Sequence, residues 1–157
     1  MTNLERPRAA HVVFIRASAE RVWEALTSPT LSQQFFFSRR LESDWKKGSP
    51  WTAYLPDDKG VDTIGVVLES DPPKRLVVTW HVQWLEEARA LGEAIVSYEI
   101  EPAGDGIVKL RVTEEMSPET PQKFRDGGRE GWGAILSSLK SLLETGRALD
   151  IQMKPPA

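Results

Sequence analysis

The side chains that could do chemistry in this sequence are few and scattered. Glu114-Glu115 is an adjacent carboxylate pair, the residue type of general acid–base work. It falls at the end of a β-rich stretch, where solvated carboxylates are common, and reads as solvated rather than catalytic. His81 lies on the polar phase of its segment, which turns it away from an interior where it could act as a base. His11 has no carboxylate at a ligand spacing, and two histidines with no cysteine do not build a metal centre. Arg125, Asp126, Arg129 and Glu130 could rim a pocket mouth and orient a polar head group. Charge pairing on a helix surface accounts for them equally well. Gly127-Gly128 is not followed by Lys-Ser/Thr, so it is not a phosphate loop. No G-x-S-x-G elbow occurs. No catalytic residue, metal or cofactor is assigned.

What stands out instead is a set of rings. In Leu76–Trp84 the even positions Leu76, Val78, Trp80, Val82 and Trp84 are apolar, while Val77, Thr79, His81 and Gln83 are small or polar. A period of two marks a half-buried β-strand. Two tryptophans on one face each need a deep recess, either a packed core or the wall of a ligand cavity. Trp51, Tyr54, Tyr98 and Trp132 fall on inward phases of their own segments, and Phe36 closes a helical pair. Phe36, Trp51, Tyr54, Trp80, Trp84, Tyr98, Trp132 and Leu136 are the expected pocket residues.

The elements that must position these rings follow from local pattern. His11–Arg16 is β-branched and aromatic, a first strand. Ser18 caps a helix carrying Val22, Ala25 and Leu26 on one face. That helix ends at Ser28 because Pro29 disfavours helical backbone before it. A second short helix covers about Thr30–Phe36. Strands follow at Ser49–Leu55, Val61–Glu69, Leu76–Trp84, Ala94–Ile100 and Ile107–Thr113, with turn clusters between them. Leu85–Gly92 is a polar, helix-prone connection that could act as a lid. From Thr120 to Thr145, Trp132, Ile135, Leu136, Leu139, Leu142 and Leu143 recur at helical spacing, and Gly146 stands where a glycine ends a helix. An antiparallel sheet of about six strands must bury this long helix, which predicts a curved sheet wrapped around it. This is an α+β architecture.

Composition bounds the function. The 157 residues suit one domain, expected over 9–147 with flexible tails at 1–8 and 148–157. The absence of cysteine excludes disulfides and thiolate sites. A formal net charge of −3, with both signs mixed, offers no basic face for nucleic acid and no polybasic membrane anchor. The start MTNLERPRAA has no signal-peptide core and no apolar run could span a bilayer, so a cytoplasmic protein is expected.

Three motifs carry a resemblance over roughly residues 9–147. They are Ala17-Ser18-Ala19-Glu20-Arg21-Val22-Trp23-Glu24-Ala25-Leu26-Thr27, then Pro72-Pro73-Lys74-Arg75-Leu76-Val77-Val78-Thr79-Trp80, and Gly131-Trp132 with its leucine stripe. Together they resemble the helix-grip fold of the START/Bet v 1-like superfamily (SRPBCC). Within it they resemble bacterial proteins related to the C-terminal domain of the Hsp90 ATPase activator. The resemblance implies a site between sheet and final helix for a small hydrophobic or amphipathic ligand. It also implies two alternatives: an enzyme of the polyketide cyclase or dehydratase kind, for which Tyr98 is the inward titratable group, and an Hsp90-linked stress-response interaction module. The second of these would need an exposed apolar patch. A homodimer is compatible with the sequence.

Energetics sharpen the ligand expectation. A drug-sized pocket holds about 300 Å³ or more. At about 24 cal/mol per Å³ of cavity, leaving it empty would cost on the order of 7 kcal/mol. An apolar space of that size should therefore hold a guest or collapse.

Overall fold

A computed structural model describes residues 5–152. The chain begins with strand β1 (Arg8–Ile15), followed by helices α1 (Ala19–Thr27) and α2 (Pro29–Phe35). Strands β2 (Arg40–Ser43), β3 (Pro50–Tyr54), β4 (Val61–Asp71) and β5 (Arg75–Val82) come next. A one-turn helix α3 (Glu86–Arg89) leads to β6 (Ala94–Gly104), β7 (Ile107–Glu115) and the long helix α4 (Gln122–Thr145). The strands form one sheet in the order β1-β7-β6-β5-β4-β3-β2, every neighbouring pair antiparallel. This is the expected helix-grip α+β architecture with seven strands rather than six. The additional strand is β2. Its four residues, Arg-Leu-Glu-Ser, carry a single apolar side chain, Leu41, too short a pattern to announce a strand.

The helical pair forms for local reasons. The Ser18 hydroxyl accepts from Arg21 N at 3.2 Å and caps α1. Ser28 ends α1 and caps α2, accepting from Leu31 N at 3.2 Å, with Pro29 in the first turn. α4 stops at Gly146, whose φ of 84° lets its N–H return to the Leu142 carbonyl at 2.9 Å.

Register sets the inner face. Val108, Leu110, Val112 and Glu114 of β7 point the same way as Val96, Tyr98 and Ile100 of β6, and these pair onward with Leu76 and Val78 of β5. β1 contributes Ala9, His11, Val13 and Ile15 to that face. α1, α2 and α4 cover it with Val22, Ala25, Leu26, Phe35, Phe36, Trp132, Ile135, Leu136, Leu139 and Leu142, all buried. The outer face keeps Val12, Phe14, Ile64, Val66 and Leu68 exposed.

Hydrogen bonds continue past both ends of the 9–147 span. The Pro7 carbonyl accepts from Met116 N at 2.9 Å, and the Ser138 hydroxyl joins both the N–H and the carbonyl of Leu149. Residues 1–4 and 153–157 of the expected tails lie outside the described residues. α3, in the connection read as a lid, is tied down. His81 Nε2 meets the Arg89 carbonyl at 2.9 Å, Lys123 pairs with Glu87 at 2.7 Å, and Gly92 N donates to Glu119 at 2.9 Å.

Candidate site: a ring cluster with a buried carboxyl

The inward rings meet beneath α4. Trp51 lies 4.8 Å from Trp80, measured between ring centroids, and Trp80 lies 5.6 Å from Trp132. Phe36 packs at 5.8 Å from Trp80 and edge-on at 5.9 Å from Trp132, and Tyr98 also meets Trp132 edge-on at 5.9 Å. Leu136 is buried in the same core. Six of the eight expected pocket residues are thus brought into one core.

Tyr54 and Trp84 are not. On β3 the alternation sends Trp51 and Ala53 inward, so Tyr54 falls on the opposite phase, where the Arg40 guanidinium stacks 4.6 Å over its ring. Trp84 comes after β5 has ended at Val82, so the period of two no longer governs it. The Arg39 guanidinium lies 5.7 Å over its ring instead.

Among the described residues the ring cluster does not enclose the expected large cavity. The space bounded by Leu26, Leu41, Trp45, Trp51, Leu76, Val78, Trp80 and Tyr98 amounts to about 10 Å³, close to the volume needed for one water. The rings have closed on one another. Of the two outcomes available to an empty apolar space, filling or collapse, this is collapse.

Two residues of this region were not assigned to it from sequence. Trp45 lies on the β2–β3 connection and stacks on Trp51 at 6.2 Å, extending the row of indoles to four. Its place between Asp44 and Lys46-Lys47 hid it, although a tryptophan flanked by charges is itself a signal. Glu114 is the second. It is 7% exposed rather than solvated, because it continues the inward phase of Val108, Leu110 and Val112. That phase was legible; the strand simply runs two residues further than read, to Glu115.

Glu114 has the electrostatics of a functional group. Burial pushes its carboxyl up to about 7, and a hydrogen bond with Trp132 opposes part of that rise. Its Oε1 is buried without a hydrogen-bond partner among the described residues. α4 approaches it at Gly128, where a Cβ would stand 2.7 Å from Oε1. Tyr98 is pushed well above its ordinary range, first by burial and then by the nearby Glu114. It stays a neutral phenol and is a poor base. His11 is lowered by burial and by the charge of Arg129. A carboxyl that changes state near neutral pH can donate a hydrogen bond to a guest, or exchange a proton with it. Among the described residues no cluster of His, Asp or Glu could hold a metal ion.

The charged start of α4 is partly spent on itself. Gln122 Nε2 donates to Asp126 at 2.9 Å, and Arg125 Nε donates to the Thr120 carbonyl at 3.0 Å. Next to the rings, Arg39 and Asp62 form an ion pair at 2.7 Å, each side chain 10% exposed.

The family model described as activator of Hsp90 ATPase homolog 1-like protein matches residues 16–144. The chain belongs to this family. No curated protein sequence matches it. Among solved structures, the Aha1 dimer from Colwellia psychrerythraea, determined in solution, is 21% identical. It aligns over 90% of this chain and 99% of its own with a TM-score of 0.72. PFC0360w, an Hsp90 activator from Plasmodium falciparum, is 17% identical over 87% of this chain and 95% of its own, at 0.70. DynU16, a protein of the dynemicin biosynthetic locus, is 23% identical over 91% of this chain and half of its own, at 0.72. At these identities the likeness to each structure is one of fold. Among the described residues no helix is long and apolar enough to cross a membrane.

Proposed function

We propose that this activator-family protein is a cytoplasmic binding protein for a small amphipathic molecule, held between the sheet and α4 with its polar end at Glu114. The observation that carries the reading is the buried Glu114 carboxyl, with Oε1 unpartnered, beside a cluster of aromatic rings. An apolar core gains nothing from such a group, whose burial without a partner costs about 1–3 kcal/mol. A guest with a complementary polar atom relieves that cost. Rings that part only for a guest avoid the cost of an open void of ligand size, on the order of 7 kcal/mol. Opening is assigned to the first half of α4. It lacks a side-chain cap at Pro121 and carries Gly127, Gly128, Gly131 and Gly133, and each glycine weakens a helix by about 1 kcal/mol relative to alanine.

Native mass spectrometry of protein taken from cells, with a thermal-shift panel of lipids and aromatic polyketides, tests the reading. The expected result is a retained small-molecule mass and a raised melting temperature for an amphipathic subset. A clean apo mass together with no stabilising compound would overturn it.

A second reading rests on a separate observation. Ile64, Val66 and Leu68 line the outer face of β4 at 41%, 41% and 38% exposure, an apolar stripe of the kind that marks interaction surfaces. In this reading a second copy of the chain covers the stripe and makes a homodimer. Sedimentation of the wild type and of Val66→Glu separates the cases. A dimer that the substitution splits supports the stripe; a wild-type monomer at high concentration removes it.

A further inference from the structure

Trp45 differs from Trp51 and Trp132 in what its nitrogen does. The Trp51 N–H is bound by the Thr79 carbonyl at 2.8 Å, and Trp132 is engaged with Glu114. The Trp45 Nε1 is buried and has no partner among the described residues. Its ring is part of the wall of the residual cavity, alongside Trp51, Trp80 and Tyr98.

The backbone around it is held for the purpose. Trp45 sits at φ 55°, a left-handed conformation that a bulky L-residue rarely adopts. Two hydrogen bonds keep it there: its N–H donates to the Ser43 hydroxyl at 2.9 Å, and its carbonyl accepts from the Ser70 hydroxyl at 2.7 Å. Strained residues fastened in this way cluster at ligand clamps. Asp44, Lys46, Lys47 and Gly48 beside it are exposed. The indole is therefore carried on a short connection with exposed neighbours rather than on a strand.

We infer that Trp45 is the specificity residue of the site. Its Nε1–H donates to an acceptor oxygen, of ketone, ester or ether type, on an otherwise apolar guest lodged against Trp51 and Trp80. An indole nitrogen can only donate, so the complementary atom on the guest must be an acceptor. This inference rests on the ligand-binding reading above and adds to it the chemical class of the guest.

The test uses two probes of matched shape, 2-acetylnaphthalene and 2-ethylnaphthalene, and two proteins, wild type and Trp45→Phe. The substitution keeps a ring stacked on Trp51 and deletes the N–H. Affinities are read by ligand-observed NMR, and circular dichroism verifies that both proteins are folded. The wild type should prefer the ketone by about 5–10-fold, the worth of one hydrogen bond, and Trp45→Phe should bind both probes alike. Equal binding of the two probes by the wild type, or a ketone preference that survives in Trp45→Phe, overturns the role of Trp45 and leaves ligand binding standing. A wild type that binds neither probe, and shows no stabilisation across the lipid and polyketide panel, overturns both.

Discussion

Trp51 on β3 donates its indole N–H to the carbonyl of Thr79 on β5, 2.8 Å away, across the whole width of β4. The crossing happens at Gly65, where a Cβ would overlap both the Thr79 carbonyl and the Trp51 nitrogen. The ladder is rearranged around it: Val66 N donates to the Thr79 hydroxyl at 2.8 Å. One glycine thus lets a tryptophan from a neighbouring strand lie over β4 and join the ring cluster.

Gly65→Ala should therefore be costly. Overpacking and the lost Trp51–Thr79 bond together amount to about 3 kcal/mol. Urea denaturation should give a midpoint lowered accordingly, with altered tryptophan emission in the native state. A variant as stable as wild type would mean that the indole does not lie where β4 is bare.

Trp132→Ala should cost about 3–5 kcal/mol, because the ring is 4% exposed and touches Phe36, Trp80 and Tyr98. Tyr54→Ala should cost far less in ring packing, its cation–π contact with Arg40 being worth about 1 kcal/mol. Denaturation curves of the two variants compare core with outer face directly. Similar losses for both would contradict the assignment of Tyr54 to the outside.

The Arg39–Asp62 pair supplies a third test. Asp62→Ala removes the buried carboxylate that accepts from Arg39 Nε and should cost about 3–5 kcal/mol. Combining Arg39→Met with Asp62→Leu should restore much of that loss, since two apolar side chains need no pairing. A double variant no better than the single one would show that the Arg39–Asp62 pair itself sets the cost.

Glu114 makes stability depend on pH in a stated direction. Its folded carboxyl is raised from 4.5 to about 7, so the native state holds a proton that the unfolded chain has released. The stability it contributes is complete below pH 4.5 and is lost as pH rises through about 7, a change on the order of 3 kcal/mol. His11 acts in the opposite sense: its lowered value favours the native state above pH 6.5, and that favour is lost as pH falls through the folded value. Subtracting the Glu114→Gln stability profile from the wild-type profile, from pH 4 to 9, isolates the carboxyl. A falling difference is expected between pH 4.5 and 7; a flat one would place Glu114 in water.

The sequence on its own determined the order of the elements other than β2, the Ser18 cap, the break at Ser28-Pro29 and the closing glycine, because these depend on neighbours three or four residues away. It also determined which side of each regular strand is greasy, because a period of two is a local property. Trp51, Trp80 and Tyr98 were recognisable for that reason, and Trp132 and Leu136 from the helical spacing of their stripe. Tyr54 falls outside the cluster because its odd separation from Trp51 puts the two on opposite faces of β3, a local fact the reading passed over, whereas the position of Trp84 depends on where strand pairing ends β5. Glu114 and Trp45 acquired their character only in three dimensions. The first is desolvated by a helix that begins eight residues later, and the second is turned inward by a strained connection. Whether the converging rings would leave a space or close it was likewise a tertiary decision. Packing volume is summed over residues far apart in the chain, and no local pattern contains that sum.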